Sequence, residues 1–413
     1  MVIPGLYDPK KPQIFIAGFY DLLELISSKR KPRRIKIFGS DQKGYDFLLK
    51  GHEDLRQDER VMQSLSLVNT LIKKNDKTEK KNLAIVTYPV IPLSTDTGLL
   101  GWVQNCDTLQ QLIKDYRTAN HIIRDSERNV MNTLCPNYQI VCVPHKVEIF
   151  RYIMESTKGD DLKKVLWLKS ENAEVWLEKR TNFARSLATM SMVGYILGLG
   201  DRHLSNLMMQ RVSGKIVHID FGDLFEVTMT REKFPEKIPF RLTRILTKAM
   251  EACGIEGNYR FTCNNVMEVL RENKDSLLAI LEAFVTDPLL NWRLITTEII
   301  ANNADLHLAG NKQSFKQLNM ADIYDRERKF DETAGKLEIE LKQNLAENPL
   351  TKEADVLNKK ALEAVNRIKA KLLGNDFKNH QNLSVISQVE FLIKQATSHE
   401  NICQAWLGWN PFL

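Results

Sequence analysis

Residues 190–227 constrain this chain more than any other stretch; they read MSMVGYILGLGDRHLSNLMMQRVSGKIVHIDFGDLFEV. The apolar run at 192–199 is too short to span a bilayer and stops at the breakers Gly198 and Gly200, which predicts the end of a buried helix. A polar loop follows, Asp201-Arg202-His203-Leu204-Ser205-Asn206. Two short apolar runs, 207–209 and 216–219, flank Ser213-Gly214 and predict a β-hairpin whose second strand ends at Asp220-Phe221-Gly222-Asp223.

A short hairpin brings Asp201, His203, Asn206 and Asp220 to one end. The Asn206 carbonyl and the Asp220 carboxylate are hard oxygen ligands suited to Mg²⁺ held jointly with phosphates. A second carboxylate, Asp201, then orients a hydroxyl, and the His203 imidazole lies near a moving phosphoryl group; these are the parts phosphoryl transfer needs. Taken singly, each residue reads as a turn cap or a satisfied loop histidine. Taken together between a buried helix and a glycine-bounded hairpin, they predict a site.

GLGDRHLSN followed by HIDFGD resembles the catalytic and metal-binding segments of the phosphoinositide-kinase-related protein kinases, whose loop carries Asp before His. The flanks KVLWLKS, TNFARSLATMSMVGYILGLGDRH, REKFPEKIPFRLTR and LIKQATSHENICQAWLGWNPF are similar to the target-of-rapamycin branch of that family. The similarity runs almost end to end and is weakest over about 295–350. The resemblance implies an α+β, two-lobed protein-kinase-like fold: a mainly β N-lobe (1–101), a hinge and mainly α C-lobe (102–380), and a helical FATC-like tail (381–413). It places the catalytic loop at 198–206 and the activation segment at 218–243. It implies ATP with Mg²⁺ or Mn²⁺, Asp201 and His203 as catalytic residues, and Asn206 and Asp220 as metal ligands.

In the first hundred residues the pattern predicts strands with one good helix. The basic cluster Ser27-Ser28-Lys29-Arg30-Lys31-Pro32-Arg33-Arg34 reads as a nucleic-acid or localisation patch, a solvated turn, or a phosphate-cradling turn between strands. The resemblance puts the family's phosphate loop here (about 25–34), with Ser28 offering a hydroxyl and backbone donors and Arg30 reaching the nucleotide. In the strand at 45–50, alternation sends Leu48 and Lys50 one way and Phe47 and Leu49 the other. If the latter pair packs, Leu48 covers a base and Lys50 neutralises a phosphate, although a lone strand lysine is usually just solvated. The next segment leads into a helix with apolar Val61, Leu65, Val68 and Ile72. The resemblance implies that Glu53 or Asp58 pairs with Lys50. It also makes Gly101-Trp102-Val103 the hinge, with Val103 backbone groups reading the adenine edge, Trp102 and Tyr88 lining the pocket, Thr108 at its rim, and Met208 and Ile219 as its floor. From the residues alone Trp102 is equally a core side chain, and Asp107-Thr108 caps a helix at 109–116.

Residues 117–160 read as charged and helical with an apolar break at 138–144; the matching segment of the family, about 122–159, docks a β-propeller subunit, which implies a larger complex. A plain surface insertion is the alternative. The polar stretch at about 295–350 predicts mobile helix and linker. The tail spacing Val389, Leu392, Ile393, Ala396, Ile402, Ala405, Trp406, Trp409 predicts two helices sharing one apolar face. Three residues depart from the family pattern: Leu204 replaces a Pro that fixes a backbone dihedral, so some loop rigidity is lost; Asn410 replaces a Cys, leaving Cys403 without a disulfide partner in the tail; Leu413 replaces an aromatic, removing part of a membrane-inserting tip.

The net charge of +6 does not by itself imply nucleic acid, and six cysteines show no paired metal-ligand spacing. No transmembrane run is read, and the expected location is cytoplasmic, with peripheral endomembrane association as an alternative. Mixed charges at 230–240 suit a Ser or Thr hydroxyl on a protein better than a polyphosphorylated inositol lipid, which calls for a denser positive run. A lipid kinase and a catalytically silent scaffold on the same fold are the competing readings.

Overall fold

The computed structural model describes residues 1–28, 30–231, 234–285, 287, 352–377 and 380–413, with 352–360 described by backbone alone. The polar insertion expected at 295–350 lies outside the described residues. The chain divides into two units, Met1–Phe284 with Arg367–Leu413, and Val285–Asn366. What is described of the second is chiefly the first part of one helix.

The N-terminal region forms β1 (Ile16–Phe19), β2 (Glu24–Leu25), β3 (Arg33–Gly39), β4 (Gly44–Gly51), α1 (Arg56–Lys74), α2 (Asp76–Glu79), β5 (Val90–Pro92) and β6 (Thr97–Gly101). The strands make one antiparallel sheet in the order β1-β3-β4-β6-β5, with β2 added to β3. Period-two alternation decides its faces. Ile35, Ile37, Phe47, Leu49 and Leu99 cluster on one face under Ile3, which leaves Arg34, Lys36, Leu48 and Lys50 on the other. Helix α1 buries Val61, Leu65, Val68 and Ile72, the helical stripe read from the sequence.

The C-terminal region continues with β7 (Cys106–Thr108), α3 (Leu109–Ala119), α4 (Ser126–Leu134), α5 (Val143–Ser156), α6 (Asp161–Leu168), α7 (Ala173–Leu197), β8 (Leu207–Gln210) and β9 (Ile216–His218). Then come α8 (Arg244–Ala249), α9 (Arg260–Glu272), α10 (Lys274–Val285), α11 (Lys352–Leu373), α12 (Val385–Thr397) and α13 (His399–Ile402). β7, β8 and β9 form a small antiparallel sheet. The last turns of α7, from Ser186 to Leu197, are buried throughout. Gly198 ends the helix in the left-handed conformation (φ 59°). A Cβ there would lie 2.6 Å from the Glu226 nitrogen, so both the turn and the close approach require glycine. The fold is two-lobed α+β, with a strand-rich first lobe and a helical second.

The tail differs from the expected helix pair. After α12 the chain makes only the four-residue α13 and a single 3₁₀ turn, Leu407–Trp409. Pro411 disfavours helical geometry in the residue before it, and Asn410 instead takes φ 55°. Trp406 lies beyond the end of α13 with an extended backbone (φ −57°, ψ 139°), leaves the apolar face and is 52% exposed, whereas Trp409 is 1% exposed. Trp409 and Phe412 pack with Met131, Tyr138, Phe150 and Ile153 of the insertion and with Ile238 of the activation segment. The apolar break in the insertion is thus partly a seat for the tail: the Tyr138 hydroxyl donates to the Cys403 carbonyl (3.0 Å), while Ile140 remains exposed.

Candidate active site

The loop after α7 is held at both ends. Its backbone pairs with the activation segment through Phe225 N to Leu197 O, Glu226 N to Gly198 O and Gly200 N to Asp223 O, each 2.9 Å. Asp201 follows in the left-handed region (φ 54°), and so does Asp220 (φ 60°) at the end of the hairpin. Neither is glycine, so each conformation costs about 1–3 kcal/mol and persists because the surroundings impose it. The Asn206 side-chain nitrogen donates to the Asp201 carbonyl (2.9 Å), which leaves Oδ1 as the atom available to a cation. The Ile219 amide donates to the Asn206 carbonyl (3.1 Å), tying the loop to the strand that delivers Asp220. His203 accepts the Ser205 amide at Nδ1 (3.2 Å), so the neutral ring carries its proton on Nε2. Burial holds its pKa below the usual histidine value, favouring that neutral form. Leu204 is buried and its carbonyl accepts the Gln110 amide (3.1 Å), so packing and α3 restrain the position that lacks the proline ring.

From the first lobe, the turn between β2 and β3 closes through Ile26 N to Pro32 O (3.0 Å) and Lys31 N to Ser28 O (3.2 Å), with Ser28 exposed. Arg30 pairs with Glu53 (3.0 Å), and Glu53 pairs with Lys50 (3.5 Å), so the turn and the strand lysine share one carboxylate. In this conformation the ion pair of Lys50 is with Glu53. Asp58 has another partner: its Oδ1 accepts the Phe221 amide (3.2 Å). Burial pushes the Asp58 carboxyl up to about 6, against the opposing charge of Lys50. Leu48 lies opposite Leu100 in the sheet, on the lysine face.

At the hinge, Gly101 donates to the Pro89 carbonyl (2.7 Å) and Trp102 to the Asp46 carbonyl (2.9 Å), with half-buried Val103 next. The Arg34 guanidinium sits 4.5 Å from the Trp102 ring centroid and covers one face of it. Thr108 caps α3 by accepting the Gln111 amide (3.1 Å) and lies opposite Met208 in the small sheet. Met208 and Ile219 are half-buried beside fully buried Leu207, Met209 and Val217. Tyr88 is buried close to Asp58 and Asp220, and desolvation with those carboxylates keeps its phenol protonated.

Four residues that organise this site were not singled out by sequence. Gln57 on α1 donates to the carbonyls of Phe221 (2.8 Å) and Gly222 (3.0 Å), so with Asp58 the helix grips the segment carrying Asp220. Arg202 is 3% exposed and donates to the carbonyls of Gly200 (2.7 Å), Ile219 (2.9 Å) and Asp220, stitching the loop after α7 to the segment that follows β9. Arg241 donates to the carbonyls of Arg202 (3.3 Å), Trp409 (2.6 Å) and Asn410 (2.9 Å). Glu236, read as one of several interleaved loop charges, is instead 7% exposed, and its carboxylate accepts the Asp201 amide at 3.0 and 3.2 Å. Burial and the neighbouring Asp201 push its pKa up to about 7. A polar side chain that bonds to backbone of another segment carries no periodicity, so spacing gives no signal for any of the four; an arginine between two candidate site residues was the one available hint.

The donor set fits a hard divalent cation: a carboxylate and an amide oxygen, one on each of two segments bonded together. Among the described residues no cluster of three or more His, Cys, Asp or Glu is suited to a metal, so further oxygens would come from phosphates and water. No helix in the described residues is long and apolar enough to cross a membrane.

Residues 44–294 match the phosphatidylinositol 3- and 4-kinase family, and residues 382–413 match the FATC domain. The chain is 52% identical over 421 residues to the serine/threonine-protein kinase mTor of Drosophila melanogaster, covering 100% of this chain and 17% of that protein. It is 50% identical over 438 residues to the serine/threonine-protein kinase TOR of Oryza sativa subsp. japonica, covering 100% of this chain and 18% of the relative. Among solved structures, the FAT and kinase domain of CtTel1 aligns with a TM-score of 0.74 at 27% identity, covering 100% of this chain and 25% of that one. The chain thus spans less than a fifth of the curated relatives it matches.

Proposed function

The chain belongs to the phosphatidylinositol 3- and 4-kinase family, in its target-of-rapamycin branch with a FATC tail, and from that premise we propose that it transfers the γ-phosphoryl group of ATP to Ser or Thr hydroxyls of proteins. The observation that carries the reading is the convergence of Asp201, Asn206 and Asp220, joined by the Asn206 to Asp201 bond and by Arg202 across both segments. Asp201 orients the substrate hydroxyl or accepts its proton. Neutral His203 presents Nε2–H to charge on the transferring group. Asn206 and Asp220 hold Mg²⁺ or Mn²⁺, which when bound neutralises phosphate charge. Catalysis is positioning and electrostatics, without a covalent intermediate on the protein.

Nucleotide recognition falls to the residues around the cleft. Leu48, Trp102, Met208 and Ile219 enclose the base, with Tyr88 behind it and Thr108 at the rim. Backbone groups of Gly101 and Val103 read the base edge. Ser28 and Lys50 serve the phosphates, with Arg30 and Glu53 bracing the lysine. Lys50→Met should therefore weaken ATP far more than adenosine, by about 2 kcal/mol for a lost charge-assisted contact. Calorimetric titration of both ligands tests this, and equal weakening of both would place Lys50 away from the phosphates.

The lipid-kinase alternative is disfavoured by the charges on the activation segment, where Arg231 is engaged with Asp223 (2.8 Å). Helices α4 and α5 with the turns before and between them leave Ile123, Leu134, Ile140 and Tyr152 exposed, which supports docking of a β-propeller subunit on about 122–159 and a larger complex. The setting proposed is cytoplasmic, with peripheral endomembrane association. The direct test is whether purified protein labels a peptide or a phosphoinositide vesicle.

A further inference from the structure

The activation segment grips two consecutive residues of the catalytic loop from opposite polar ends. The Glu236 carboxylate takes the Asp201 amide, and five residues on, the Arg241 guanidinium gives to the Arg202 carbonyl. Elsewhere between 197 and 201 the two segments are joined by backbone bonds, which any sequence could make. At Asp201 the partner is a side chain, it is charged and buried, and both its oxygens lie within bonding distance of one N–H. Glu236 is itself anchored: its amide donates to the Thr228 carbonyl (3.0 Å). The Thr228 side chain fills the space beside Gly200, where a Cβ would fall 2.1 Å from its Oγ1. Gly200, Asp201 and Arg202 are thus clasped by Thr228, Glu236 and Arg241.

A buried carboxylate next to the carboxylate of Asp201 is costly for folding, since desolvation and like charge both oppose it. What it supplies is an acceptor for the Asp201 amide in its left-handed turn. Building on the phosphotransfer reading above, we propose that Glu236 is a positioning residue: through the Asp201 amide it fixes the left-handed backbone that aims the Asp201 carboxylate at the substrate hydroxyl. Activity then depends on the outgoing limb of the activation segment being in place, because that limb carries both Glu236 and Arg241. Glu236 is bonded to Asp201 and not to the residues proposed to line the nucleotide site, so loss of its contact lowers kcat more than ATP affinity.

Two substitutions of nearly equal volume separate this role from packing. Glu236→Met fills the space without an acceptor, and Glu236→Gln keeps an amide oxygen that accepts the Asp201 N–H. The full chain is assayed for kcat and KM on a peptide hydroxyl substrate, for ATP affinity by calorimetry and for Tm. The expected result for Glu236→Met is a kcat lower by about 100-fold, the scale for a displaced catalytic group, with ATP affinity and Tm near wild type, and for Glu236→Gln recovery of most of that loss. The inference is overturned if Glu236→Met keeps its kcat, if kcat and ATP affinity fall in equal proportion, or if Glu236→Gln is as impaired as Glu236→Met. Absence of transfer by the wild-type protein would instead overturn the phosphotransfer reading on which it rests.

Discussion

Asp220→Ala is expected to abolish metal-dependent nucleotide binding, whereas Asp201→Ala leaves binding intact and removes turnover. The two residues look alike in sequence, but they stand on different segments. Asp220 ends the hairpin, and the backbone around it is held by Arg202 from the loop and by Gln57 and Asp58 from α1. In the proposed site its loss removes one of two oxygen ligands, with little redundancy. Asp201 lies across the loop from it, and its backbone is fixed by Asn206 and Glu236, so alanine there keeps the loop shape while deleting the group that handles the hydroxyl proton. Removing a positioned general base costs about 10²–10⁴-fold in rate. Calorimetry of ATP with Mg²⁺, beside single-turnover transfer, measures both effects. Equal loss of nucleotide binding in the two variants contradicts the division of roles.

The second large effect concerns the tail. Deleting residues 404–413 is expected to destabilise the second lobe and eliminate activity, and Trp409→Ala alone to cost about 3–5 kcal/mol. Trp409 is buried between the insertion and the activation segment, with the Arg241 guanidinium 4.0 Å from its ring centroid. The same guanidinium donates to the carbonyls of Trp409, Asn410 and Leu413, so truncation also strips partners from a buried cation. Because Arg241 holds the Arg202 carbonyl as well, the damage reaches the catalytic loop. Trp406→Ala, three residues earlier but half in solvent, should change stability by no more than about 0.5 kcal/mol. Thermal unfolding in detergent-free, lipid-free buffer distinguishes the two tryptophans. A truncated protein that keeps its Tm and turnover shows the tail to be a separate anchor.

Periodicity and breakers carried much of the fold. Strand alternation in β4 put Phe47 and Leu49 on one face and Leu48 and Lys50 on the other, and the sheet is arranged that way. The α7 terminus at Gly198 and the hairpin turn at Ser213-Gly214 were legible for the same reason: each needs a residue type with special backbone freedom. The tail was not. Its apolar spacing is helical as far as Ala396, but Gly408 and Pro411 break the chain, and Trp406 turned outward although it fits the periodic pattern. The acid partner of Lys50 was legible only as a choice of two, since Glu53 and Asp58 both precede or open α1; in the structure Glu53 forms the pair, while Asp58 accepts the amide of Phe221, 163 positions away. Arg202, Glu236 and Arg241 act on backbone groups of distant loops, a relation that leaves no spacing to read.

This constellation is proposed to move the γ-phosphoryl group of ATP to a protein hydroxyl. The most direct measurement offers the purified protein γ-phosphate-labelled ATP and Mg²⁺ with a Ser/Thr peptide library and phosphoinositide vesicles in the same reaction, alongside Asp201→Ala. The expected result is label on peptide hydroxyls, absent from the lipid and lost in Asp201→Ala. Label confined to the lipid, or peptide labelling no greater than that of Asp201→Ala, would contradict it.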